Sequence, residues 1–270
     1  MKIGVALGGG AAYGYAHVGV IKVLEREGID ISMIAGSSVG SLIAAIYASV
    51  MDAKKLEETA LSLDWTDIAM PTIPKEGLVS MERLGDFLKK KIEPRNMEET
   101  KIPYYSVATD IITGNEKVFD KGPIEKAVRA STGLPGIFAP TETEDGLFID
   151  GGVTNNLPAD VLKARGADFV IAVDITTCTH LDIRKHRDIF SIVWKGWQVA
   201  VEQNMKHKSM ADADVIIRPK LENMNPFDLG RKKEIMAAGE KAAEEAMEEI
   251  KALMSKKGSF AGKVKNFFSK

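Results

Sequence analysis

The chain has 270 residues, 45% hydrophobic and 27% charged, with a formal net charge of −2, an ordinary globular composition for one α/β unit with a sizeable core. The balance of charge excludes a bulk electrostatic partner such as nucleic acid. A single cysteine, Cys178, excludes an intrachain disulfide and makes a reducing compartment the expectation, and no apolar run reaches the length of a membrane span.

In chain order, Ile3–Leu7 is a short apolar run before glycine. It reads as a buried strand and is too short for a secretory signal. Tyr15–Arg26 carries apolar residues at helical spacing, and Gly28 ends that helix. Residues 31–35 form a second strand, and 38–51 a helix of small and apolar residues that must be largely buried. Two β-α units in fifty residues imply a parallel sheet. Residues 54–63 and 80–91 read as amphipathic helices. Between them, residues 65–79 hold two prolines and no clear period, the pattern of a loop or mobile cover. Strands are expected at 104–109 and 117–119, a helix at 124–130, and a hairpin turning at Asp145-Gly146 between 141–144 and 147–149. Strands at 169–175 and 215–218 and helices at 190–206 and 232–254 complete the series. The face of Phe190, Trp194 and Trp197 reads as core in preference to a pocket wall or subunit contact. The last helix should bury Ile235, Ala242, Ala246, Ile250 and Leu253. The chain shows no repeat and no linker, so the fold class is α/β with a mainly parallel central sheet.

Three stretches carry chemistry. "GSSVG", residues 36–40, matches the G-x-S-x-G nucleophile elbow in the strand–turn–helix setting that motif requires. Gly36 and Gly40 admit the tight turn, and Ser38 stands at a helix N-terminus that favours developing negative charge; the plain alternative is a helix N-cap. "LGGGAAYG" spaces Gly8, Gly10 and Gly14 as G-x-G-x-x-x-G. That is one residue longer than a dinucleotide fingerprint, and it lacks the G-K-[ST] of a nucleotide-binding loop. What remains is a row of backbone N–H groups, from Gly9, Gly10 and Ala11, able to bind an anion. Beside a serine nucleophile, that anion is the oxygen of a tetrahedral acyl intermediate. In "FIDGGVTNNLP", residues 148–158, Asp150 leaves an apolar strand into a Gly-Gly turn. Of four histidines, His17 lies in the first helix as a packed or hydrogen-bonded core residue, while His180, His186 and His207 follow late in the chain. The residues alone leave the base open between Asp150 and a late histidine.

Taken together, these blocks resemble the patatin-like phospholipase family. "LGGGAAYGYAHVGV" is similar to its Gly-rich oxyanion loop, "GSSVG" to its elbow, "ASTGLPGIFAP" (130–140) to its A-S-x-x-x-P block, "DGGVTNNLP" to its D-G-[GA] block and "GADFVIAVD" (166–174) to the strand that follows. The resemblance implies a three-layer α/β/α fold and a Ser–Asp dyad with Ser38 as nucleophile and Asp150 as base. It implies oxyanion donors on the backbone of Gly8, Gly9, Gly10 and Ala11, and hydrolysis of lipid acyl esters with neither metal nor cofactor. Tyr13 departs from the family, which usually has Arg or Lys there, and brings no charge for an anionic headgroup. A non-catalytic lipid-binding protein on the same fold is the competing reading.

The final stretch, "KKGSFAGKVKNFFSK", has five lysines and no acid. Phe260, Val264, Phe267 and Phe268 share one helical face, as in a helix lying on an anionic membrane; a docked terminal helix is the alternative. The expected organisation is a hydrolase domain over 1–257 and a basic tail over 258–270. The expected location is the cytoplasm, peripheral at the inner membrane face, with a lipid or acyl ester as partner.

Overall fold

A computed structural model describes residues 1–68, 70–71, 78–176, 184, 188–207, 210–222 and 224–268. Strand β1 (Ile3–Leu7) is buried along its whole length. One 3₁₀ turn, Ala11–Gly14, leads into helix α1 (Tyr15–Arg26), and β2 (Ile31–Ser37) feeds α2 (Val39–Val50), of which ten residues are buried. The expected two β-α units are thus present. Helix α3 (Ala53–Leu61) starts at Asp52, whose carboxylate accepts from the Lys55 N–H at 3.0 Å, an N-cap that satisfies one orphan donor. A short α4 (Trp65–Ile68) and a two-residue ladder of β3 (Met70–Pro71) with β4 (Val79–Ser80) follow, then α5 (Glu82–Lys91). The segment read as a loop therefore holds a helical turn and an antiparallel pair at its edges; residues 69 and 72–77 lie outside the described set.

The chain continues through β5 (Tyr104–Asp110), β6 (Glu116–Phe119), α6 (Ile124–Thr132), and the hairpin of β7 (Thr141–Thr143) and β8 (Gly146–Asp150). Two short helices not expected from the sequence, α7 (Gly152–Asn155) and α8 (Ala159–Ala164), precede β9 (Phe169–Val173). Then come α9 (Ile189–His207), β10 (Val215–Ile217) and α10 (Lys232–Phe268).

The main sheet runs β10-β9-β1-β2-β5-β8-β7, with β6 also paired to β5. The five strands from β10 to β5 are parallel, while β6 and β8 run antiparallel to β5. Leu7 pairs with Gly36, so the loops leaving β1 and β2 emerge side by side. That is the edge where open α/β sheets bind ligands.

Helix α1 packs against α10 at backbone contact. A Cβ on Gly19 would lie 2.1 Å from the Met236 carbonyl oxygen, and one on Gly239 would lie 2.0 Å from that of Ala16. The buried stripe of α10 is accordingly Ile235, Met236, Gly239, Ala243, Met247 and Ile250, with Ala242, Ala246 and Leu253 only partly covered. The helix does not stop at 254 but continues through 268, so the expected boundary at 257–258 falls inside α10. The side chains of Phe260, Val264, Phe267 and Phe268 lie outside the described set. Among the described residues no helix is long and apolar enough to cross a membrane.

Candidate active site

The elbow is built by steric exclusion. Ser38 holds φ 53° and ψ −129°, a strained conformation for a residue with a Cβ. It is sustained because nothing else fits around it. A Cβ on Gly40 would stand 2.1 Å from the Leu7 carbonyl oxygen, and one on Gly36 2.3 Å from the Gly40 backbone. The Ser38 N–H donates to Ser131 Oγ at 2.9 Å, and that hydroxyl donates to the Val107 carbonyl at 2.5 Å. The block at 130–140 thus supplies a clamp on the nucleophile, a role the sequence reading did not assign.

Ser38 Oγ donates to Asp150 Oδ2 at 2.6 Å. Asp150 ends β8 and is 1% exposed; its other oxygen accepts from the Gly152 N–H at 2.8 Å. Burial pushes the Asp150 carboxyl up to about 7, against the opposing pull of its bonds from Ser38 and Gly152. The turn after Asp150 is not a flexible Gly-Gly loop but the first turn of α7.

His17 is fully buried, and its Nε2–H donates to the Gly8 carbonyl at 2.7 Å. Burial lowers its pKa to about 4, so it is a neutral strut for the Gly-rich loop. Among the described residues it makes no hydrogen bond to Ser38. His180 and His186 lie outside the described residues, as does the His207 side chain.

The Gly-rich loop is braced by residues the sequence reading passed over. The Gly8 N–H donates to the Val173 carbonyl at 3.1 Å, and the Gly9 N–H is shared between Asn156 O at 3.3 Å and Oδ1 at 3.2 Å. Thr176 Oγ1 donates to Gly9 O at 2.5 Å and accepts from Asn156 Nδ2 at 2.8 Å. Two of the expected donors, Gly8 and Gly9, thus have their N–H groups in hydrogen bonds within the protein. Among the described residues no group accepts from the N–H of Gly10, Ala11 or Val39. Val39 follows the nucleophile, the position from which such elbows donate. The tether from Asn156 has no local signature; only the pairing of β1 with β9 brings it near.

Tyr13, which stands where a cation was expected, is 1% exposed. Its hydroxyl donates to the Met224 carbonyl at 2.8 Å, and its ring meets Trp194 edge-on at 6.4 Å. It anchors the segment before Phe227.

Ser38 and Asp150 open into a cavity with about 880 Å³ of atom-free space including its mouth, walled by Leu42, Ile43, Leu84, Phe138, Trp194 and Trp197 among others. Trp194 and Trp197 are thus both core and cavity wall. Asp150 is the one carboxylate among the described lining residues. Also among the described residues, no cluster of three His, Cys, Asp or Glu is placed to hold a metal.

Fold and site together define an α/β protein with a buried serine–carboxylate pair at the C-terminal edge of a parallel sheet. The model of the family described as "Patatin-like phospholipase" matches residues 5–163, and the chain belongs to that family. It is 38% identical over 180 residues to an NTE family protein of Mycobacterium tuberculosis, covering 64% of this chain and 49% of that one. It is 33% identical over 206 residues to the human patatin-like phospholipase domain-containing protein 6, covering 73% of this chain and 15% of that one. The chain thus spans half the length of these relatives or less. Among solved structures, VipD from Legionella pneumophila shares the fold, with TM-score 0.63 and 14% identity over 92% of this chain and 67% of that one.

Proposed function

We propose that the chain is a serine hydrolase of lipid acyl esters, with Ser38 as nucleophile and Asp150 as base. The observation that carries this reading is the 2.6 Å bond between Ser38 Oγ and Asp150 Oδ2 at the edge of an apolar cavity. A carboxyl held near neutrality by burial is a competent base at physiological pH. Asp150 takes the Oγ proton as Oγ attacks the ester carbonyl. The N–H groups of Gly10, Ala11 and Val39, which have no acceptor among the described residues, receive the oxyanion; one such donor contributes about 3–4 kcal/mol. The leaving alcohol takes the proton from Asp150. Water then gives its proton to Asp150 and attacks the acyl-enzyme, and Ser38 is regenerated. The apolar walls suit an acyl chain.

The decisive test is hydrolysis of a nitrophenyl ester by wild type, Ser38→Ala and Asp150→Asn, with His180, His186 and His207 each changed to Ala. The reading expects the first two variants to be inactive and the histidine variants to retain turnover. An active Asp150→Asn beside an inactive histidine variant reassigns the base, and an inert wild type favours the non-catalytic lipid-binding reading.

The partner is a lipid surface, met peripherally. Ile189, Ile192 and Val199 on α9 are exposed while Trp194 and Trp197 of the same helix wall the cavity, which supports that reading. The basic stretch at 258–270 adds an electrostatic contribution. Removing those residues is expected to weaken binding to anionic vesicles and to spare hydrolysis of soluble esters; unchanged vesicle binding rules the stretch out.

A further inference from the structure

We infer that helix α2 measures the acyl chain, and that Ile46, where the cavity ends along this helix, selects acyl groups of about eight carbons. The inference rests on the hydrolase reading above and deepens it by naming the acyl length that the site takes. Four residues of α2 line the cavity: Val39, Leu42, Ile43 and Ile46. Their spacing is that of one helical stripe, so the cavity follows a single face of α2 away from the nucleophile at its N-terminus. Ser49 and Val50 continue the stripe by one turn and line no part of the cavity. The Ser49 hydroxyl is turned back on the helix, donating to the Ala45 carbonyl at 2.7 Å. Ala60 of α3 and Leu84 of α5 are further walls, and with Ile46 they are no more than 2% exposed. No side chain on the stripe offers a hydrogen bond, so the group it accommodates is hydrocarbon.

The order of events decides which half of the ester enters. The alcohol must leave and water must then reach the acyl-enzyme, so the alcohol lies toward solvent. Ala11, Phe138, Phe227 and Leu229 are half-buried walls and mark that mouth. The acyl group stays on Ser38 through both steps and takes the closed side along α2. From Val39 to Ile46 the helix advances seven residues, about 10 Å. A staggered hydrocarbon chain advances about 1.3 Å per carbon, so about eight carbons fill that distance. Each methylene buried on the way raises kcat/KM about four-fold. One that passes Ile46 must crowd a packed core.

The test is kcat/KM on nitrophenyl esters from acetate to dodecanoate, each below its aggregation limit, so that only the acyl length changes. Wild type is expected to rise to an optimum near about eight carbons and to fall about ten-fold or more by dodecanoate. Ile46→Ala removes three carbons from the end of the stripe and should move the optimum to about ten carbons, whereas Ile46→Phe should move it to about six. The ratio between lengths within one preparation is the readout, and it does not depend on how much of the protein is folded. Should both variants fail to fold, Ile46→Val removes one methylene and should still shift the decanoate-to-octanoate ratio upward about two- to four-fold. Val50→Ala, one turn beyond the cavity, should leave the profile unchanged. Equal losses at every length, an optimum that stays in place in the Ile46 variants, or one that lengthens in Val50→Ala overturns the assignment. A wild type inert to every ester means that the hydrolase reading has failed and takes this inference with it; wild-type turnover without a length optimum removes the inference alone.

Discussion

Asp150 and His17 are both buried, and burial shifts each toward its neutral form. Their effects on stability oppose each other. Asp150 has its pKa raised from 3.8 to about 7, so its contribution is greatest in acid and is lost as pH rises through about 7. His17 has its pKa lowered from 6.5 to about 4, so its contribution is full above 6.5 and is lost as pH falls toward 4. Each change is worth a few kcal/mol, about 3–4.5 at most. Wild type should therefore show little net change from these two groups between pH 4 and 7, and single variants should uncover them. Asp150→Asn is expected to lose stability on acidification, and His17→Gln, which keeps a donor for Gly8, to lose it as pH rises. Urea unfolding midpoints across that range check both; parallel curves for all three proteins would falsify the assignment. Ser38 stands out because a tight strand–turn–helix elbow leaves a local pattern, whereas the residues alone leave the base open between Asp150 and a late histidine, and only the family resemblance favours Asp150. The task of His17 is not legible, because its acceptor is the carbonyl of Gly8 and a carbonyl has no letter in the sequence.

The crossing of α1 and α10 shows what periodicity conveys and what it omits. Spacing identifies α10 as a helix with one buried face, but it centred that face on Ala242 and Ala246, whereas the structure turns it toward Gly239 and Ala243. A glycine inside a helix reads as a mild defect until its partner is known. Here Gly19 and Gly239 let two backbones touch, a contact that any side chain prevents. Gly239→Ala should therefore cost about 1–3 kcal/mol through overpacking, although alanine favours the helix. On the same helix Gly258 is exposed and meets nothing within 4 Å. Gly258→Ala is expected to stabilise by about 0.5–1 kcal/mol. Denaturant midpoints of opposite sign for one substitution in one helix establish the crossing as a backbone contact, whereas two stabilising substitutions would show that α10 can shift away from α1. The short helices α7 and α8 escaped the sequence reading for a related reason: they are too brief to show a period, and tertiary contacts hold them.

The serine and the carboxylate are 112 residues apart, and the sheet decides that they meet. Strand β5 acts as the ruler. Ser37 pairs with Val107, and the next residue along the same edge, Ala108, pairs with Asp150, while β6 takes the other edge, so successive residues of β5 fix the two halves of the site. The topology could not be read from the elements alone, since β8 arrives through a hairpin whose partner no local pattern names. Ser131 ties these halves together. Its hydroxyl accepts from Ser38 N–H and donates to Val107, and its carbonyl accepts from the Gly151 N–H at 3.1 Å, next to the base. Removing that hydroxyl takes the acceptor from the buried Ser38 N–H, a loss of about 1–3 kcal/mol in stability. It also releases the strained backbone of the nucleophile without touching the cavity wall. Ser131→Ala should therefore lower kcat by about ten-fold or more while leaving KM nearly unchanged, because the substrate's binding surface survives and the alignment of Oγ with Asp150 does not. A variant with lower Tm and wild-type kcat would make Ser131 a stabilising residue only. A raised KM with unchanged kcat would mean that the clamp shapes the cavity, and that strain at Ser38 persists without it.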